Sequence, residues 1–149
     1  MLSWPTTPEQ NRVCQELFRV RCGASLPHDA HYLVWLTDGQ PTWVVGYYDW
    51  VGHTCQMSQA NTGIRPIPRK FAREVFRYAF DVLHRKMVFA VVSEGNEQAL
   101  RVNRFLGFQE DRRWPGMALH DHDLLLLTMT REQCRFLEKP NDARHPAGT

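Results

Sequence analysis

The stretch from Lys86 to Phe108, KMVFAVVSEGNEQALRVNRFLGF, constrains the chain most. Met87 to Val92 is a short apolar run rich in β-branched residues, the pattern of a strand buried on both faces inside a sheet. Ser93-Glu94-Gly95-Asn96 interrupts it. Glu97 to Leu106 are good helix formers. Asn96 stands where its side chain can cap the first amides, and Gly107 where a left-handed residue can stop the helix before an extended Phe108. The segment therefore predicts strand, turn, helix and strand.

A chain of 149 residues is one ordinary domain, and it buries about two thirds of its unfolded surface. Its 43% hydrophobic and 23% charged residues are values of a soluble globular protein. There is no apolar run long enough to span a membrane and no signal sequence, so the expected setting is cytoplasmic, with no membrane partner. Cys14, Cys22, Cys55 and Cys134 show no metal or redox spacing and read as reduced structural thiols. A net charge of +2 is too small to imply a nucleic-acid partner by itself.

Thr7-Pro8-Glu9-Gln10 predicts a capped helix start, and Gly23 its end. Val13, Leu17 and Val20, with Cys14 and Phe18 beside them, form the expected buried stripe. Tyr32 to Leu36 reads as a strand turned by Thr37-Asp38-Gly39 into a partner from Thr42 to Trp50, in which Gly46 suggests a bulge or a close backbone approach. His53 to Ala60, HTCQMSQA, is a more polar strand with one face toward a cleft or solvent. Pro68 precedes a long amphipathic helix, Arg69 to His84. Its basic ridge Arg69, Arg73 and Arg77, with Lys70, is either a solvated face or part of an anion site at the helix start, with Arg65 adding charge. A strand near Phe108 to Arg112, a loop, an apolar strand Leu124 to Met129 and a last helical turn from Thr130 to Leu137 complete a domain over 1–137. Residues 138–149 read as a flexible polar tail. The order of elements predicts an α/β (α+β) fold with a mixed, mostly antiparallel sheet flanked by helices. An open edge near the last strands could pair two chains as a homodimer.

Val92 to Phe108, with Asn96, Ala99, Leu106, Gly107 and Phe108 spaced as they are, resembles the acetyl-CoA-binding segment of the GNAT acetyltransferases, and the element order matches as well. The end of the chain, Arg131 to Leu137 after Asp123 and Leu124 to Met129, is similar to that of small GNAT-like proteins of tailed phages. Some of that group are presumed enzymes, and others look like structural proteins of the particle. The resemblance implies a sheet whose central strands, His53 to Ala60 and Met87 to Val92, splay apart so that pantetheine inserts between them. It implies acetyl-CoA as a substrate and an amine of a protein or small molecule as acceptor, with no metal. The alternative it leaves is an inactive GNAT-fold protein in the virion, with other phage particle proteins as partners.

The coenzyme-binding residues the resemblance implies are Arg65, Arg69, Lys70, Val92, Asn96 and Asn103. Two features depart from the family. The usual glycine-rich phosphate loop reads IRPIPRKFA, in which Pro66 and Pro68 cannot donate. Losing two charge-assisted bonds of about 1.5 kcal/mol each weakens coenzyme binding by about a hundredfold. Asn103 also stands where many members carry a tyrosine acid. For the base, His53, Asp49 and Glu94 are candidates; His53 is the best placed in pH, and Glu94 lies at the mouth of the splay. His120-Asp121-His122-Asp123 would share faces in pairs on a strand and suggest a metal, but it reads better as a structural turn.

Overall fold

A computed structural model describes residues 2–3, 7–63 and 66–137. Arg65 and the tail 138–149, named above, lie outside them. The chain runs β1 (Leu2–Ser3), α1 (Pro8–Cys22), β2 (His31–Thr37), β3 (Gln40–Val51), β4 (Thr54–Asn61), α2 (Arg69–Arg77), β5 (Met87–Ser93), α3 (Glu97–Leu106), β6 (Gln109–Trp114) and β7 (Leu124–Thr130). The strands form one sheet in the order β1-β2-β3-β4-β5-β7-β6. All neighbours are antiparallel except β4 and β5, which run parallel.

Alternation along the strands divides the core in two. Leu33, Val45, Tyr47, Met57, Val88, Ala90 and Leu127 face α2 and α3 and join Phe71, Val75, Phe76, Leu100 and Leu106 in the main cluster. Tyr32, Val34, Val44 and Ala60 face the other way, onto Cys14 and Phe18 of α1. Each fully buried large side chain stabilises the fold by about 1.5–3 kcal/mol relative to exposure. α1 therefore covers the β2–β4 half of its face, and Phe89, Val91, Leu124 and Leu126 on the β5–β7 half remain partly exposed.

Several local expectations are met. Thr7 and Gln10 form a reciprocal capping box, and Gly23 closes α1 at φ 64°. Asp38 and Gly39 both take positive φ, as a tight hairpin of this kind requires. Others change. Of the α1 stripe, Val13 and Val20 are 54% and 62% exposed, because the helix leans on the sheet through Cys14 and Phe18, one turn apart. Gly46 keeps regular register with Tyr32 and Ser58; a Cβ there would lie 3.5–3.6 Å from Leu26, Tyr32 and Phe18. The bulge falls later, between Tyr48 and Val51, where Asp49 turns to φ 54°. The helix expected to run to His84 widens into a π-helical turn over Tyr78–Val82. Residues 131–137 form turns rather than a helical turn, pinned by the Gln133 side chain accepting from the Thr130 amide.

Candidate active site

β4 and β5 share only three pairs, Thr54 with Met87, Cys55 with Val88 and Gln56 with Phe89. Both strands continue well past them. β4 stays paired to β3 as far as Asn61, and β5 stays paired to β7 as far as Ser93. The two strands part because each is held on its outer side. The inner backbone groups beyond Gln56 and Phe89 thus lose their sheet partners, and such groups need another partner when covered.

A cavity of about 450 Å³ opens beside the parted end of β4, lined by Gln59, Ala60 and Asn61 of β4, by Asn96 at the start of α3 and by Ala99 and Val102 of α3. The end of α1 closes its rim. The Cys22 thiol donates to the Gln59 carbonyl at 3.7 Å, and the Arg21 guanidinium reaches the Thr62 carbonyl at 3.5 Å. Burial pushes the Cys22 thiol pKa up, so the group remains a neutral donor.

Asn96 lies between this cavity and a second one. Its Oδ1 accepts the Ala99 amide at 3.1 Å, as a helix cap does, which leaves its Nδ2 as the donor it can offer a ligand. At the start of α2, Pro68 is the N-cap, with no side-chain cap, and the first ladder bond is Ala72 N–H to the Pro68 carbonyl at 2.9 Å. The amides of Arg69, Lys70 and Phe71 are therefore outside the ladder, at the positive end of the helix. The Arg69 and Lys70 side chains are exposed.

Val92 and Asn103 are both buried. The Val92 side chain is buried in the main core, so only its backbone can meet a ligand. Asn103 is 4% exposed and donates its Nδ2–H to the Ala99 carbonyl one turn back, at 2.9 Å. The amide is turned into its own helix, and Ala99 and Val102 take its place along the cavity.

Of the candidate bases, His53 and Glu94 are at opposite ends of the gap. His53 is exposed in the turn before β4, at the closed end of the gap, where its carbonyl accepts from the Lys86 amide at 2.8 Å. Glu94 is at the open end, paired with Arg113 at 3.1 Å. Arg113 also binds Asp123 and Glu110, each at 2.9 Å. The Arg113 guanidinium, followed by the Gly116 amide, holds the Asp123 carboxyl below its usual range.

This network anchors the loop after β6. The Glu94 amide donates to the Asp123 carbonyl at 2.8 Å, and the Gly116 amide donates to the Asp123 carboxylate at 3.1 Å. Between this loop and the β5–α3 turn is the second cavity, about 690 Å³, lined by Ser93, Asn96, Met117, Leu119, His120 and His122 among others. The His122 ring lies on Gly95 so closely that a Cβ there would sit 2.7 Å from Cδ2. His120 and Asp121 both take φ 59° in a tight turn. The alternating strand faces on which a metal set would depend do not exist there.

The comparisons agree with this geometry. No protein-family model matches the chain, and no curated protein sequence matches it. Solved structures do. A point mutant of spermidine N-acetyltransferase SpeG from Vibrio cholerae matches with a TM-score of 0.73 at 12% identity, over 93% of this chain and 96% of that one. Another set of mutant forms of the spermidine/spermine N-acetyltransferase SpeG from the same organism gives 0.72 at 11% identity, over 97% and 98%. A structure described as a probable acetyltransferase gives 0.57 at 20% identity, over 70% and 64%. At these identities the likeness defines the fold: a GNAT-type mixed α/β sheet with parted central strands and flanking helices.

Proposed function

We propose that this protein is an N-acetyltransferase that transfers the acetyl group of acetyl-CoA to an amine. The observation that carries the reading is the parting of β4 and β5 beyond Gln56 and Phe89, with a cavity between the far end of β4 and α3. Pantetheine amides bond the unpaired strand edges, including the backbone at Val92, and the Asn96 Nδ2 supports them. The pyrophosphate rests on the free amides of α2 with the Arg69 and Lys70 side chains, and Arg65 is assigned to the same anion. The amine nitrogen attacks the thioester carbon, the C–N bond forms, and the sulfur leaves with the C–S electron pair. Asn103 takes no part in that departure, so the thiolate is protonated by water. His53 is the proton acceptor in this reading, since Glu94 is engaged by Arg113.

The likeness to proteins named as spermidine N-acetyltransferases supports the reading. The domain is taken as residues 1–137, in a cytoplasmic setting. A homodimer is part of the reading only if it avoids the β6 edge, where Glu110, Asp111, Arg112 and Arg113 are all exposed and oppose strand addition; light scattering measures it. Calorimetry with acetyl-CoA tests the activity. Heat of binding and release of free thiol with an amine are expected, and neither at millimolar coenzyme would sink the reading. His53→Ala should lower kcat by about a hundredfold, whereas Glu94→Gln, which loses only a surface ion pair, should leave it within about twofold.

A second reading, a non-catalytic GNAT-fold protein of a phage particle, is favoured by the inward turn of Asn103 and by Pro68 at the start of α2. Mass spectrometry of purified particles tests it. Absence from particles together with steady turnover rejects it.

A further inference from the structure

The wall of the first cavity carries a single sign of charge. Its polar side chains are the carboxamides of Gln59, Asn61, Asn96 and Gln98, the Cys22 thiol and the Arg21 guanidinium. Among the described residues Arg21 is the one cation on that wall, and no carboxylate lines it. Arg69 and Lys70 are exposed and lie off it. The positive charge therefore comes from the last turn of α1.

Among the described residues Arg21 has no ion pair. Its one hydrogen bond reaches the Thr62 carbonyl at 3.5 Å, a long contact that leaves its other N–H donors free. The carboxylates around it are accounted for. Glu16 is bound by Arg19, and Glu9 lies about 18 Å back along α1. Glu97 stands between Asn96 and Gln98 in sequence, but about 150° round α3 from the middle of the face that Gln98, Ala99 and Val102 share. It belongs to the acidic first turn, at the positive end of that helix. A free guanidinium beside carboxamides suits an anion that offers two oxygens on one centre, because the planar fork bonds both at once.

We propose that Arg21 binds a phosphate of acetyl-CoA, supplying from α1 the charge-assisted bonds that Pro66 and Pro68 cannot make. This rests on the N-acetyltransferase reading for the identity of the ligand. Thr62, which Arg21 touches, and Gly63, which shares the cavity wall, are where the chain leaves β4 toward α2. Arg21 thus guards the end of the gap at which the phosphates meet the start of α2. The pantetheine arm runs inward from there, past Gln59 and Asn96.

The test compares the full chain with Arg21→Gln, Arg21→Lys and, as a control, Arg19→Gln. Affinity for acetyl-CoA is read by calorimetry. Affinity for S-acetylpantetheine, which has the same arm and no phosphate, is read at millimolar ligand from the Asn96 side-chain amide resonances. Glutamine keeps an N–H for the Thr62 carbonyl, so the fold holds, and equal thermal midpoints check it. Arg21→Gln is expected to weaken acetyl-CoA by at least about tenfold and to leave acetylpantetheine within about twofold. Arg21→Lys, charged but without the fork, should fall between, and Arg19→Gln should change neither. Binding should also depend less on salt in Arg21→Gln. An equal loss for both ligands, or unchanged acetyl-CoA affinity in Arg21→Gln, overturns the proposal and leaves the transferase reading standing. The expected pattern with no thiol release in the presence of amines keeps Arg21 at the phosphate and sinks the transferase. No binding of acetyl-CoA by the full chain overturns both.

Discussion

Tyr47 on β3 donates its hydroxyl hydrogen to the Val75 carbonyl of α2 at 2.7 Å, one turn before the helix widens at Tyr78. The ring is fully buried, and its burial drives the phenol pKa well up, so it stays a donor. The Val75 carbonyl also receives the Tyr78 amide. Tyr47→Phe therefore leaves no carbonyl bare and should cost about 1 kcal/mol. Urea unfolding measures this, and an unchanged midpoint would show the bond contributes nothing.

Stability should fall in alkali. Burial raises the Cys14 thiol to about 11 and the Cys55 thiol to about 12, against 9.0 for an ordinary thiol. The stabilising difference is present below the unfolded value and is lost as pH rises through the folded ones, because the unfolded chain gives up its thiol protons first. Denaturant midpoints should drop between about pH 9 and about pH 11. Cys14→Ala with Cys55→Ala should flatten that slope, and a slope that persists unchanged would assign it to other groups.

Asn96 has a structural task that can be separated from any ligand contact. Asn96→Ala removes the cap on the Ala99 amide and should cost about 1 kcal/mol, while Asn96→Ser keeps an oxygen acceptor and most of that stability. Only the Asn→Ser change then isolates the Nδ2 donor. Weakened acetyl-CoA binding in a normally stable Asn96→Ser protein would be the expected result.

Asn103 should be dispensable for chemistry. Its side-chain bond to Ala99 stays within one helix. Asn103→Leu replaces it with an apolar group in an apolar setting, and stability should hold within about 1 kcal/mol. Turnover should not change. A large fall in kcat would mean that the side chain reaches the coenzyme after all.

Gly95→Ala tests how the second cavity is shaped. The new methyl group would collide with the exposed His122 ring, which can swing outward, so the change in stability should be small, within about 0.5 kcal/mol. Thermal unfolding measures this, and a larger loss would point to a general disturbance of the β5–α3 turn.

Much of the frame is legible in the sequence because it depends on local rules. Thr7 with Gln10, Asp38 with Gly39, and Asn96 with Gly107 each fix an element boundary through backbone chemistry of their own. The parting of β4 and β5 was legible only through resemblance, since no local pattern in TCQMSQAN says where a parallel partner is lost. Val13 and Val20 read as core because spacing alone cannot tell which of two adjacent stripes meets the sheet; that depends on where Phe18 finds room over Gly46. Asn103 is a related case. A position in a motif fixes its helical phase, but burial and the Ala99 carbonyl decide where its amide goes. At the cavity, the polar character of β4 is the one signal of Gln59 and Asn61, and Val102 of α3 carries none.

The three-pair contact between β4 and β5 also gives the molecule a mechanical seam. On one side is a panel of β1 to β4 braced by α1, and on the other a panel of β5, β7 and β6. Any molecule that bridges the gap would act as a clasp, adding rungs where the sheet has fewest. Loading should then slow amide exchange at Thr54 to Gln56 and Met87 to Phe89 more than in the panels themselves.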